Sequence, residues 1–199
     1  LDPAGVPKEL INSAIPFDAS DIKNLERKIK KYKDKVAAIV IEPARGNEVN
    51  KSYLKKLVKI ADKNKSVLIF DEITSGWRIN TGGAHQKFKI NPDIVVYGKT
   101  IANGVPMGAI VGKKEIMQVY EKKAFISATY FENGIDIIAS ITTINFLKNS
   151  KFSAARHDYI RRLAGGNKAC PCGNTPKSLV SYPTGASSSM SPNPNNNIA

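Results

Sequence analysis

The sequence predicts an α/β fold, a three-layer mostly parallel sheet with helical crossovers, followed by a disordered tail. Three observations carry that expectation. The short runs VAAIVI (36–41), VLIF (67–70) and IVVY (94–97) alternate with longer stretches whose apolar residues recur at three- and four-residue steps, as buried strands alternate with crossover helices. Each run is apolar throughout, the pattern of a strand covered on both faces. From Gly165 onward Gly, Pro, Ser and Asn dominate through the closing SSSMSPNPNNNIA, with no period on which a core element could form. The expected division is a folded part over residues 1–149 and a tail over 150–199.

Taken in order, residues 18–35 read as a surface helix capped by Asp18 or Ser20, with Ile22, Leu25, Ile29 and Tyr32 on its apolar stripe. The strand over 36–41 stops at Glu42-Pro43. A second helix is expected at about 51–65, striped by Leu54, Leu57, Val58 and Ala61. VLIF then runs into Asp71, and a loop containing Gly82 and Gly83 leads to IVVY, Gly98 and Lys99. A short strand at 109–111 precedes a helix at about 113–121. After the loop FISATYFENG (125–134), a helix over 135–148 is expected to pack through Ile138, Ile141 or Thr142, and Phe146.

The net charge of +13 raises the question of nucleic acid. Lys28, Lys30, Lys31, Lys33 and Lys35 lie along one helix and the rest are scattered, which reads as a solvated face, without interleaved aromatic residues for stacking bases. No nucleic-acid partner is expected. No apolar stretch approaches the length of a membrane span, and no secretory leader stands at the start, so no membrane association and a cytoplasmic location are expected. The opening LDPAGVPKEL is loop-like and lacks an initiator methionine, which suggests a start inside a longer protein. Cys170 and Cys172 flank Pro171 with only His157 nearby, too few ligands for zinc, so free thiols are expected. The change of residue usage near 150 raises the hypothesis of an out-of-frame or chimeric end; an unbroken frame on resequencing the coding DNA and its flank refutes it.

Three successive strands end in charge: Glu42, Asp71 and Lys99. Open α/β sheets bind ligands at that carboxyl edge. Asp71 and Lys99 stand 28 positions apart on consecutive strands. An acid and an amine in one crevice are the two groups that pyridoxal phosphate chemistry needs, the amine for a Schiff base and the acid for the protonated pyridine nitrogen. Val95, Val96, Tyr97 and Ile101 predict an apolar setting for Lys99, one that favours the neutral, nucleophilic amine. A lysine snorkelling to the surface is the plainer alternative. A phosphate-binding GKT loop is a poor one, because that motif needs a glycine five positions before Gly98, where Asp93 stands. Asp71 alone reads equally as an ion-paired carboxylate or metal ligand. Metal binding is not expected, since His85 is the only histidine of the first 149 residues. Glu72 points away from Asp71 or into the layer of residues behind the crevice.

AAIVIEPARGN (37–47), VLIFDEITSGWR (67–78) and DIVVYGKTIANGVPMGAIVG (93–112) resemble three successive motifs of the class III, fold type I pyridoxal-phosphate aminotransferases, most closely the glutamate-1-semialdehyde aminomutase-like branch. The resemblance covers about residues 1–149, part of the large cofactor-binding domain. It implies pyridoxal 5'-phosphate as cofactor, Lys99 as Schiff-base lysine and proton shuttle, and Asp71 on the pyridine nitrogen. It also implies Ile73 against one ring face, Asn47 near the phenolic oxygen, and Thr129 at the phosphate of the neighbouring subunit's cofactor. Glu42 and Glu72 are supporting residues. The implied partners are a small-molecule amino donor and acceptor, and a second copy in a homodimer.

Such enzymes have an earlier Ser/Gly-Thr phosphate loop and stacking aromatic, and a small terminal α+β domain, and this chain shows neither. The expected function is therefore that of an aminotransferase or aminomutase encoded in part. The rivals are an inactive fragment of the same fold and a basic nucleic-acid-binding module, the latter marked by strong salt dependence.

Overall fold

A computed structural model describes residues 4–149, except 12, 45–49, 126, 128, 130 and 132. The expected tail, its cysteines and Asn47 lie outside the described residues.

Helix α1 (Ile22–Lys31) is amphipathic and buries Leu25 and Ile29. Its cap is Asp21, whose Oδ1 accepts from Lys23 N at 2.9 Å, in place of the expected Asp18 or Ser20. Those two residues are engaged with each other, Asp18 Oδ1 accepting from Ser20 N at 2.8 Å and Ser20 Oγ at 2.6 Å. That local turn keeps the chain out of the helix until Asp21. The helix also ends four residues short of the expected 35, and Asp34 turns the chain at φ 61°.

Strand β1 (Ala38–Ile41) leads to α2 (Lys51–Asn64), capped by Asn50 and closed by Lys65 in the left-handed region. Strand β2 (Val67–Asp71) includes the charged Asp71 itself. A five-residue helix, α3 (Ala84–Phe88), occupies part of the segment read as a loop. Strand β3 (Ile94–Tyr97) is followed by a 3-10 turn over Lys99–Ala102, and then by β4 (Ala109–Gly112), α4 (Lys114–Lys123) and α5 (Gly134–Asn149).

The sheet order is β1-β2-β3-β4, with the first three strands parallel and β4 antiparallel to β3. This is the expected mostly parallel α/β sheet with helical crossovers. Asp93, just before β3, accepts from Leu68 N at 2.7 Å and pairs with Lys113 Nζ at 2.6 Å. Those contacts join the starts of β2 and β3 to the end of β4. They set the register that brings Asp71 opposite Val96 at the other edge.

Ile39, Ile41, Leu68 and Phe70 share one sheet face and pack under Leu25, Ile29, Leu54, Leu57 and Ala61 of α1 and α2. Phe70, Leu54 and Leu57 are fully buried, each contributing ~1.5–3 kcal/mol of transfer free energy. A second cluster joins Val95, Tyr97, Ile101 and Ala102, with Ala139 and Ile144 of α5 packed against it.

The expected face of α5 is wrong. Ile138, Ile141 and Phe146 are 66%, 55% and 62% exposed, whereas Ser140 is buried. The helix is apolar nearly all round, so its pattern defines no single stripe. The small side chains Ala139 and Ser140 let it approach the 3-10 turn closely, and that contact selects the buried side. On the sheet's other face Val40 and Ile110 stay about half exposed, at 55% and 48%.

Candidate active site

Two neighbouring parallel strands deliver the acid and the amine to the same edge. Asp71 is the last residue of β2, half-buried, and its Oδ1 accepts from Ile73 N at 3.0 Å. This local turn holds the carboxylate by one oxygen. Oδ2 accepts no hydrogen bond among the described residues.

Beyond β3 the backbone is extended at Gly98 and then turns into the left-handed region at Lys99, φ 46°. That conformation costs a non-glycine residue roughly 1–2 kcal/mol. It swings the Lys99 side chain out of the sheet, where it is exposed and donates from Nζ to Thr74 Oγ1 at 3.1 Å. The apolar setting expected for this amine is thus absent. Val95, Tyr97 and Ile101 are buried, but they pack beneath the edge. Strand alternation would keep Lys99 on the face of Val95 and Tyr97, so it is the left-handed turn at Lys99 that separates it from them.

The segment after Asp71 is stitched to β3 in three places. Glu72 N donates to Val96 O at 2.9 Å. Ile73 lies over Gly98, where a Cβ would come within 3.3 Å of Ile73 Cγ2. The third stitch is the Thr74–Lys99 hydrogen bond. Arg78 Nη1 in turn donates to Thr74 O at 3.0 Å and so steadies the residue that holds the amine.

Glu72 points away from Asp71 and is fully buried. Its Oε2 accepts from Ser75 Oγ at 3.0 Å and Ala84 N at 2.5 Å, and its Oε1 from His85 N at 2.9 Å and His85 Nδ1 at 2.7 Å. A carboxylate only accepts, so Nδ1 carries the proton in this contact. Burial pushes the Glu72 carboxyl up, but hydrogen bonds from the His85 ring, the His85 N–H and the Ala84 N–H outweigh it and hold the group below its ordinary value. The same burial, and secondarily the Glu72 charge, push the Tyr97 hydroxyl far up. Two glycines make room for this cluster. Gly83, at φ 132°, would strike the Glu72 carboxylate with any Cβ, and Gly76 would meet the Tyr97 ring at 2.6 Å.

The structure therefore gathers Asp71, Glu72, Ile73 and Lys99. Glu42 is half-buried and stands one residue beyond the Ile41–Phe70 pair, level with Asp71 at the sheet edge. Thr129 occupies an exposed turn between α4 and α5, outside the packed and hydrogen-bonded group. Among the described residues no three His, Cys, Asp or Glu side chains are grouped for a metal, and no helix is long and apolar enough to cross a membrane. Sequence reasoning missed Thr74, Ser75 and His85. The Gly82-Gly83 pair immediately before Ala84-His85 was the signal available in the sequence; the positive φ of Gly83 comes from the structure.

An open, mostly parallel sheet with an acid and an amine at its carboxyl edge is the architecture of an aminotransferase cofactor-binding domain. The chain belongs to the class-III aminotransferase family, whose model matches residues 7–165. It is 38% identical over 153 residues to the 3-aminobutyryl-CoA aminotransferase of Cloacimonas acidaminovorans, covering 74% of this chain and 37% of that protein. It is 34% identical over 153 residues to the glutamate-1-semialdehyde 2,1-aminomutase of Thermosipho melanesiensis, covering 74% and 36%. Among solved structures it is similar to an omega-transaminase from Sphaerobacter thermophilus, with a TM-score of 0.68 at 29% identity over 81% of this chain and 37% of that one. The FumI protein of Sphingopyxis sp. MTA144 shares the fold at a TM-score of 0.72 and 19% identity, over 76% and 38%. The chain thus spans a little over a third of the length of these relatives.

Proposed function

We propose that the protein to which this chain belongs is a pyridoxal-phosphate-dependent aminotransferase or aminomutase, with Lys99 and Asp71 as its reacting amine and its ring-nitrogen acid. One observation carries the reading: the two groups stand at the ends of adjacent parallel strands, Asp71 held through Oδ1 alone and Lys99 held out of the sheet by Thr74.

The donor set fits the cofactor. Asp71 Oδ2 is open to accept a pyridinium N–H, and Ile73 offers an apolar surface beside it. When bound, pyridoxal phosphate supplies an aldehyde that captures amines and a cationic ring that drains electrons from the substrate Cα–H bond. Asp71 would keep the ring nitrogen protonated by its negative charge. Lys99 Nζ would hold the group through its aldehyde and move the proton at substrate Cα. Ile73 would offer its apolar side chain to the ring. Asn47 near the phenolic oxygen, Thr129 reaching a partner subunit's cofactor phosphate, and Glu42 and Glu72 in support complete the reading. It implies a homodimer acting on small amino donors and acceptors in the cytoplasm. Relatives named as an aminotransferase and as an aminomutase both match, which supports either fate for the amino group.

The test mixes purified chain with pyridoxal phosphate, follows the yellow absorption of the lysine adduct, and traps it with borohydride. Wild type is expected to label at Lys99 and Lys99→Ala to lose that label. Equal labelling of the two overturns the role of Lys99. No labelling of wild type favours an inactive piece of the same fold.

A further inference from the structure

The most elaborate polar construction among the described residues lies behind the proposed reacting groups, not among them. Glu72 carries no exposed surface, yet its two oxygens collect four donors from Ser75, Ala84 and His85. An isolated buried carboxylate is costly, so this one is retained by what it organises. It closes residues 72–85 into a single loop whose two ends meet at one side chain. Gly83 has no alternative at that point, because any Cβ there runs into the carboxylate.

The same loop carries the residues that touch the strand ends. Asp71 immediately precedes Glu72, Ile73 packs on Gly98, and Thr74 accepts from Lys99 Nζ. Within the loop, Gly76 N donates to Glu72 O at 2.7 Å and Arg78 to Thr74 O at 3.0 Å, so Thr74 sits on a turn anchored at Glu72. We propose that Glu72 and His85 form a buried carboxylate–imidazole clamp that positions the 72–85 loop, so that Thr74 holds the Lys99 amine beside Asp71. Glu72 and His85 are positioning residues, acting through Thr74 and Asp71. The inference rests on the roles proposed above for Lys99 and Asp71, but its geometry is a property of the chain without cofactor.

The test therefore uses the intact chain without pyridoxal phosphate. Lys99 is methylated with formaldehyde and cyanoborohydride, and its rate is measured by peptide mass spectrometry against the exposed Lys63 of α2. An amine that must first break its hydrogen bond to Thr74 reacts more slowly. Thr74→Val is expected to raise the relative rate about threefold, the effect of one modest hydrogen bond. His85→Phe, which keeps an aromatic ring but lacks the Nδ1 donor, is expected to raise it by a similar factor. His85→Gln retains a donor and is expected to stay near wild type. Because both changes act on one contact, the double variant His85→Phe/Thr74→Val is expected to match Thr74→Val alone.

A wild-type rate in folded His85→Phe overturns the clamp, as does a double variant in which the two effects multiply. Emission from Trp77, which lies in the same loop and is the chain's one tryptophan, reports whether each variant keeps its loop packed. If His85→Phe does not fold, the decision passes to His85→Gln, whose rate rising with that of Thr74→Val would overturn the proposal. Failure of wild type to take up pyridoxal phosphate favours an inactive piece of the same fold without changing any of these rates.

Discussion

Replacing Gly83 by alanine probes the Glu72 cluster directly, because the structure separates two costs at that position. The first is conformational: φ 132° and ψ −164° lie in a region that is essentially glycine-only, and holding another residue there costs ~1–3 kcal/mol. The second is steric. The new Cβ occupies the place of Glu72 Oε2, which accepts from Ala84 N at 2.5 Å and Ser75 Oγ at 3.0 Å. A hydrogen bond to a charged group is worth ~1.5–3 kcal/mol, so losing one of the two brings the total to about 2.5–6 kcal/mol. Gly104 provides the control, with φ 103° but nothing within 4 Å of its would-be Cβ. Gly104→Ala is expected to cost ~1–3 kcal/mol, the conformational part alone. Urea unfolding followed by circular dichroism measures both variants, with Trp77 emission reporting the loop. Equal losses in the two variants would refute the claim that the Glu72 carboxylate fills the space beside Gly83.

Three further outcomes are expected. Because Glu72 is held below its ordinary value of 4.5, its contribution to stability is present in full above that pH and is lost as pH falls through the lower folded value; urea midpoints measured from pH 7 downward should fall less steeply in Glu72→Gln than in wild type, and superimposable slopes would count against the assignment. On α5, Ile138→Ser should change stability by no more than ~0.5 kcal/mol, whereas Ala139→Leu should cost ~1–3 kcal/mol by overpacking the contact with the 3-10 turn; the opposite ranking in thermal melts would show that the helix faces the other way. Asp71→Asn should keep the unfolding midpoint of the cofactor-free chain within ~1 kcal/mol while weakening pyridoxal phosphate uptake at least tenfold, about 1.4 kcal/mol; undiminished uptake in a spectroscopic titration would remove Asp71 from the ring nitrogen.

Much of the framework was legible because its signals are local. The apolar runs before Asp71 and Lys99 became β2 and β3, and the stripe Leu54, Leu57, Ala61 became the buried face of α2. These follow from side-chain period, which a strand or helix imposes wherever it forms. The errors occur where two local options compete. Asp18, Ser20 and Asp21 are all capping residues, and the bonds from Ser20 to Asp18 left Asp21 as the cap. In α5 the apolar residues surround the helix, and only the approach of Ala139 and Ser140 to the 3-10 turn chose a side.

By itself the sequence determined that the chain builds a mostly parallel sheet, and that an acid and an amine leave it at consecutive strand ends. Composition of the strands and the order of three motifs sufficed for that, because strand exits are set by where apolar runs stop. Tertiary structure alone decided the state of those groups: Lys99 exposed on a left-handed turn and held by Thr74, Asp71 tied through one oxygen, and Glu72 buried beneath His85. Each of these except the Asp71 turn joins residues 13 to 25 positions apart or turns on how the strand exit packs. Contacts of that span depend on the closure of the sheet and its loops, which no local period encodes.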